Sequence, residues 1–248
     1  MHHQLRAAAA DGVALGAWMF LREPLLAEAA SKGGYDYVCV DLQHGLCGFE
    51  HMDAHLAAIG LGGAAPVVRV PWNESWMIGR ALDAGALGVI VPMVNSAEEA
   101  ARAAAACRYA PVGERSFGPI GAMARHQGYV RAANTDVMCI VMIETVQAVE
   151  HVEEIVAVPG VDAVYVGPSD LSLTMGLPPA SDQQDPAFHD ALARIVAACD
   201  RHGVIPGIHA TAALAAARRE QGFRMITVGY DHAPVMAALA ADLQVARG

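Results

Sequence analysis

The chain has 248 residues, 54% of them hydrophobic and 17% charged, with 16 basic against 26 acidic residues and a net charge of −10. That length suits one large α/β domain, and no Pro/Gly/Ser-rich linker or block of like charge divides it in two. The acidic balance without a basic stripe excludes nucleic acid as a partner. No apolar run reaches the roughly 20 residues of a membrane span, and five cysteines without CxxC spacing fit a reduced, cytoplasmic protein.

In chain order, the N-terminal MHHQLRAAAADGVALGAWMFLRE superficially suggests a leader peptide, but Asp11 and Gly12 interrupt it and VALGAWM reads as a first strand. Short β-branched runs then alternate with Ala- and Leu-rich stretches. Strands are predicted at 13–19, 36–42, 66–70, 87–93, 137–143, 162–166, 204–208 and 225–229. Helices are predicted at about 22–32, 48–59, 74–84, 96–107, 145–157, 187–202, 211–221 and 233–246. Eight such pairs predict a single (β/α)8 TIM barrel spanning residues 1–248. Two connections are long: 108–136, starting on the face opposite the catalytic one and readable as a subunit contact, and 172–186, a rim or lid at the catalytic mouth.

Active sites of such barrels form where strands end, so the residues just past each strand carry the information. They are Asp41 to His44 after strand two, Arg69 at the end of strand three, Glu144 after strand five, Gly167-Pro168-Ser169-Asp170 after strand six and His209 after strand seven. Glu144 and Asp170 come from adjacent strands. If they converge, two close anions need a proton or a cation between them, and hard oxygen ligands suit Mg²⁺, Mn²⁺ or a similar octahedral ion. The competing reading is that each carboxylate caps the helix behind it. Arg69 either binds an anion, an enolate or carboxylate, or closes an internal salt bridge to Asp41 or Asp83. His44, beside a cation and a guanidinium, is biased towards the neutral form of a general base, oriented by Asp41 or Asp83. The alternative is a supporting histidine behind the site.

Other features weigh against rival chemistries. His51 and His55 in HMDAH have a zinc-like spacing, but lie within a helix and are expected on its outer face. GLGG at 60–63 precedes a strand, the wrong order for a dinucleotide loop. Asp231 follows strand eight, where many barrels bind phosphate, and disfavours a phosphorylated substrate. Lys32 is the only lysine and falls near the end of the first helix, which closes the Schiff-base route.

Read together, YDYVCVDLQHG, VVRVPWN, LDAGALGVIVPMV, RYAPVGERSFG, MIET and GVDAVYVGPSDLSLTMG resemble the HpcH/HpaI aldolase family, in order and spacing, from about residue 16 to beyond 231. The resemblance implies a metal-dependent pyruvate aldolase in which Glu144 and Asp170 hold a divalent cation (Mg²⁺, Mn²⁺ or Co²⁺). Arg69 steadies the enolate oxygen, His44 paired with Asp83 moves the proton, and the backbone at Ser169 and Asp170 receives the pyruvate carboxylate. Trp18 resembles a family position that lines the pocket, whereas His209 stands where relatives are often aliphatic and would offer a polar contact to the distal end of the substrate. The implied partners are a small 2-oxo acid and an aldehyde, and the implied assembly is a homo-hexamer, a trimer of dimers exchanging the last helix. The chain departs from the family pattern at Gln43 (often Glu), Met142 (often Gln) and Arg115-Ser116-Phe117-Gly118 (Arg-Gly-x-Gly). Two rivals are a coenzyme A ester lyase of the citrate lyase β or malyl-CoA type, for which no basic nucleotide cluster is visible, and a non-catalytic oxo-acid sensor.

Overall fold

In the strand Met138–Ile143 the side chains of Met138, Ile140 and Met142 join one buried cluster, and those of Cys139, Val141 and Ile143 join another. The first cluster fills the lumen of a barrel; the second forms the sleeve between strands and helices. A period of two on a strand buried on both faces reads in sequence as an unbroken apolar run, as in the MCIVMI of this strand. In the computed structural model, which describes residues 4–248, the strands are β1 (Ala14–Met19), β2 (Tyr37–Asp41), β3 (Ala65–Arg69), β4 (Gly88–Val91), β5 (Met138–Ile143), β6 (Ala163–Val166), β7 (Ile205–His209) and β8 (Met225–Tyr230). All are parallel to their neighbours, and β8 closes on β1. Each of the eight predicted strands is present, with ends moved by one or two residues.

The helices are α1 (Gln4–Asp11), α2 (Pro24–Lys32), α3 (Phe49–Ile59), α4 (Ser75–Ala84), α5 (Ala97–Cys107), α6 (Ile120–Arg125), α7 (Tyr129–Asp136), α8 (Val146–Glu150), α9 (Val152–Val156), α10 (Pro168–Thr174), α11 (Pro186–His202), α12 (Ala215–Glu220) and α13 (His232–Arg247). Several differ from expectation. The helix predicted over 145–157 is two, because His151 leaves the helical region (φ −100°, ψ 13°) and its Nδ1 turns to donate to the Asn95 carbonyl at 3.2 Å. The one predicted over 211–221 opens as a 3₁₀ turn, Ala212–Leu214, before α12. The connection 108–136 carries α6 and α7.

Residues 1–3 lie outside the described part; the stretch after them, for which the sequence predicts no element, is helical. Leu5 and Ala9, one turn apart on α1, are buried in the lumen cluster and stopper the barrel at the end where strands begin. Arg6 ties the stopper down through Asp162 Oδ1 (2.8 Å), whose other oxygen accepts from Arg108 Nη2 and the Cys139 N–H, both at 2.7 Å. At the opposite end, the segment between α10 and α11 is fastened rather than loose. Gln183 Nε2 donates to Ser172 Oγ at 2.9 Å, and Arg218 donates to Ser181 O (3.0 Å) and Asp182 Oδ1 (2.7 Å). It therefore forms a rim.

No residue of α13 is buried, and Met236, Leu239, Leu243 and Val245 on it are exposed. Between α1 and α12, around the outward side of β1, lies a groove of about 810 Å³ lined by Ala10, Gly12, Val13, Leu15, Ala215 and Ala216, with Arg219 and Arg224 also on its wall. No described helix is long and apolar enough to cross a membrane.

Candidate active site

The alternation that builds the lumen also delivers the functional groups. Continuing the inward column of each strand by one step past its apolar residues gives Trp18 on β1, Asp41 on β2, Arg69 on β3, Glu144 after β5, Gly167 after β6 and His209 on β7. Trp18, His44, Arg69, Gly167, Pro168, Ser169, Asp170 and His209 line one cavity of about 200 Å³, with Phe20, Met142 and Tyr165 completing its wall.

Arg69 and Asp41 form a buried pair. Arg69 Nε donates to Asp41 Oδ1 at 2.8 Å and its Nη2 donates to Oδ2, while Trp18 Nε1 donates to Oδ2 at 3.2 Å. Of the alternatives read from sequence, the salt bridge to Asp41 is therefore realised. The guanidinium carbon also lies 5.1 Å from the centre of the Trp18 ring. Burial alone would raise the Asp41 pKa, but the hydrogen bonds and charge of Arg69 outweigh it and hold the carboxyl below its usual value. Asp41 Oδ1 further accepts from the backbone N–H of Gln43 (3.0 Å) and His44 (3.3 Å), so it shapes the DLQHG turn. Among the described residues, Arg69 Nη1 has no protein acceptor.

Neither carboxylate is a helix N-cap. Thr145 caps α8, its Oγ1 accepting from the Ala148 N–H at 3.0 Å, and Gly167 occupies the cap position of α10 with Asp170 inside its first turn. Glu144 is only 2% exposed; its Oε1 accepts from the Met93 N–H at 2.7 Å, and its Oε2 would lie 2.6 Å from any Cβ placed on Gly167. Glycine there leaves the carboxylate its space. Burial, then the charge of Asp170, push the Glu144 carboxyl up to about 7 against the opposing pull of the Met93 N–H and Arg69. Two hard oxygen donors, one of them held in an energetically costly position, suit a divalent cation.

Met93 went unnoticed in the sequence. Among the described residues it is the non-glycine residue with positive φ, 55°, a strained conformation that aims its N–H at Glu144. Asn95 braces it, donating from Nδ2 to the Met93 carbonyl at 3.0 Å. Tyr165 also escaped notice, although it sits two residues before Gly167 on the inward face of β6.

His44 is exposed at the lip, and its ring has no hydrogen-bond partner among the described residues. The pairing with Asp83 is not formed within this chain. Asp83 lies near the end of α4, towards the stoppered end of the barrel, where its Oδ1 accepts from Arg115 Nη2 at 2.7 Å. A second correction concerns HMDAH: His55 faces inward and is fully buried, its Nδ1 3.0 Å from the His51 carbonyl and Nε2 3.1 Å from the Leu21 carbonyl. It is a packing histidine. Asp231 accepts from the N–H groups of Phe20 (3.0 Å) and Leu21 (2.8 Å), occupying the place a phosphate would need. Lys32 pairs with Glu28 on the surface at 2.5 Å, far from the mouth. The buried Gln43 Oε1 has no described partner.

Comparison with known proteins gives the same picture. The chain is 39% identical over 230 residues to a hydroxypyruvate/pyruvate aldolase of Rhizorhabdus wittichii, covering 91% of this chain and 90% of that protein. It is 37% identical to a 4-hydroxy-2-oxo-heptane-1,7-dioate aldolase of Salmonella arizonae, covering 88% and 84%. The crystal structure of a family protein from Burkholderia cenocepacia J2315 superposes with a TM-score of 0.88 at 35% identity, covering 99% and 98%. Since a family profile described as HpcH/HpaI aldolase/citrate lyase also matches residues 14–238, the mouth residues sit in a frame shared along nearly the whole chain, which belongs to that family.

Proposed function

We propose that the barrel mouth is the active site of a divalent-cation-dependent aldolase, a carbon–carbon lyase that reversibly cleaves a 4-hydroxy-2-oxo acid into pyruvate, or hydroxypyruvate, and an aldehyde. The observation that carries this reading is that Asp170, Arg69 and His44 line one small cavity, and that buried Glu144, packed against Gly167 of its wall, lies close enough for the charges of Asp170 and Arg69 to act on its carboxyl. The names of the relatives support it.

The donors fit the cation: a buried carboxyl raised by the neighbouring carboxylate is relieved by a charge of +2, and Mg²⁺, Mn²⁺ or Co²⁺ all accept two carboxylates with open positions left over. When bound, the cation supplies Lewis-acid polarisation of the 2-oxo group. The chain does the rest. Pro168, at the first position of α10, has no N–H, so Ser169 and Asp170 present the first free backbone donors, which receive the substrate carboxylate. Arg69, clamped from behind by Asp41, donates from Nη1 to the oxygen on which charge appears as the C3–C4 bond breaks. The His44 imidazole takes the proton of the 4-hydroxyl as the aldehyde forms, and returns it in the synthetic direction. Trp18, Met142 and Phe20 exclude water from the apolar wall.

The proposal includes a homo-oligomer, a hexamer built as a trimer of dimers. The exposed apolar side chains of α13 match the apolar part of the groove beside β1, and exchange of α13 between barrels would cover both. An Asp83–His44 pair would have to form across a subunit contact. A cytoplasmic location agrees with five free, buried cysteines.

The test is pyruvate release from a panel of 4-hydroxy-2-oxo acids, with chelator and with each cation added back. Deuterium wash-in at the methyl of pyruvate separates an enolising enzyme from a sensor, and release of acetyl-CoA from malyl-CoA would favour the ester lyase instead.

A further inference from the structure

β7 ends on an imidazole that the other described residues leave unsatisfied. His209 is the third inward residue of IPGIH, after Ile205 and Gly207. Gly207 has no side chain, and a Cβ there would lie 2.9 Å from Tyr165 Cδ2, so the Tyr165 ring leans across the strand and forms a floor beneath His209. Three rings then enclose the imidazole: Trp18 at 4.9 Å, edge-on, Tyr230 at 5.1 Å and Tyr165 at 6.4 Å between centroids. The tyrosine hydroxyls point elsewhere. Tyr165 donates to Thr227 Oγ1 at 2.5 Å, and Tyr230 donates to the Ala210 carbonyl. Neither ring nitrogen of His209 has a hydrogen-bond partner among the described residues, and the face left open is the cavity shared with Arg69 and Asp170.

We propose that His209 is a specificity-determining residue that selects substrates carrying a hydroxyl group on, or next to, a reacting carbon, a reading that rests on the aldolase assignment above. Burial, then the nearby Arg69 charge, lower the His209 pKa to about 4, so at neutral pH the ring shows one N–H and one lone pair. A hydroxyl donates and accepts, and satisfies both kinds of site. A carboxylate only accepts and gains no ion pair from a neutral ring; a methyl group leaves both nitrogens unpaired in a desolvated place, which costs binding. Two sources share this chemistry: the 3-hydroxyl of a hydroxypyruvate donor, or the 2-hydroxyl of an aldehyde acceptor such as glycolaldehyde.

The experiment compares wild type, His209→Leu and His209→Asn in two arms with the cation-loaded enzyme. One arm takes kcat/KM for hydroxypyruvate over pyruvate with propanal as acceptor; the other takes glycolaldehyde over acetaldehyde with pyruvate as donor. In one arm the ratio falls about tenfold in His209→Leu, the scale of one buried hydrogen bond, and recovers in part in His209→Asn, whose amide also donates and accepts. The arm that responds identifies the hydroxyl. If His209→Leu misfolds, His209→Phe keeps a ring and removes both nitrogens, and the same ratio is read. Calorimetric titration of hydroxypyruvate and pyruvate gives the donor ratio independently of turnover. Ratios unchanged within about twofold in both arms, with turnover still present, overturn the role of His209 and leave the aldolase reading standing. Absence of turnover and of methyl exchange in wild type overturns the aldolase reading itself, and this inference with it.

Discussion

Asp41 grips Arg69 through two of its guanidinium nitrogens, one at 2.8 Å, and leaves Nη1 as the donor available at the mouth. A planar fork is required for this: one edge engages Asp41 while another part faces substrate. Arg69→Lys keeps the charge but surrenders the geometry. Activity is expected to fall at least about 10²-fold, the usual scale for losing one aimed donor, with kcat affected more than KM. Steady-state kinetics checks this, and a variant within about threefold of wild type would refute the role.

Removing the other half of the pair strands a buried cation. Asp41→Ala is expected to destabilise the protein by about 3–5 kcal/mol, the penalty for breaking a buried ion pair, whereas Asp41→Asn, which retains acceptor and shape, loses less. Urea unfolding of both variants measures the difference.

His44 is exposed at the lip, and its ring has no hydrogen-bond partner among the described residues. His44→Ala is expected to lower kcat about 10²- to 10⁴-fold, as for loss of a general base, with the unfolding midpoint unchanged because the side chain is exposed. Turnover in the cleavage direction and thermal melting together test this.

Glu144 makes cation binding pH-dependent. Its carboxyl sits near 7 in the cation-free protein, above its ordinary value of 4.5. The folded protein therefore holds more protons than the unfolded chain between about pH 4.5 and 7, and Glu144 alone makes the cation-free protein less stable as pH rises through that window. A bound cation needs the carboxylate, so affinity should weaken by up to about tenfold per pH unit below 7, with up to one proton released on binding at pH 6. Calorimetry in buffers of different ionisation enthalpy measures the proton; affinity flat from pH 5.5 to 8 would contradict the assignment.

Charge placed on the outer side of the last helix tests the assembly. Met236→Glu combined with Leu239→Glu should shift the protein to monomers in sedimentation velocity, since both residues are exposed apolar side chains of α13, at 66% and 62%. An unchanged sedimentation coefficient would show that the helix is not an interface.

Much of this was legible before any coordinates. Strands buried on both faces leave the strongest sequence signature, and Arg69 at the end of β3 and Glu144 just past β5 must face the mouth once the barrel closes, with Asp170 following in the first turn of α10. Less was readable where structure depends on short or non-local effects. The helices α6 and α7, of six and eight residues, are too brief for periodicity to register. α1 was obscured because its alanines resemble a leader, although Leu5 and Ala9 have helical spacing. The left-handed turn at Met93 has no residue signal, since glycine or asparagine is the usual mark of that conformation. Asp83 was placed beside His44 by family analogy, and within the chain its partner Arg115 lies in a connection whose path the sequence does not dictate.

The stopper formed by Leu5 and Ala9 gives the barrel a single doorway. Under the aldolase reading, whatever enters deepest leaves last. The aldehyde, formed on the outer side of the broken bond, departs first, and the oxo acid seated against Arg69 follows. Pyruvate should therefore compete with the cleaved substrate for the vacant enzyme, whereas the aldehyde should inhibit noncompetitively.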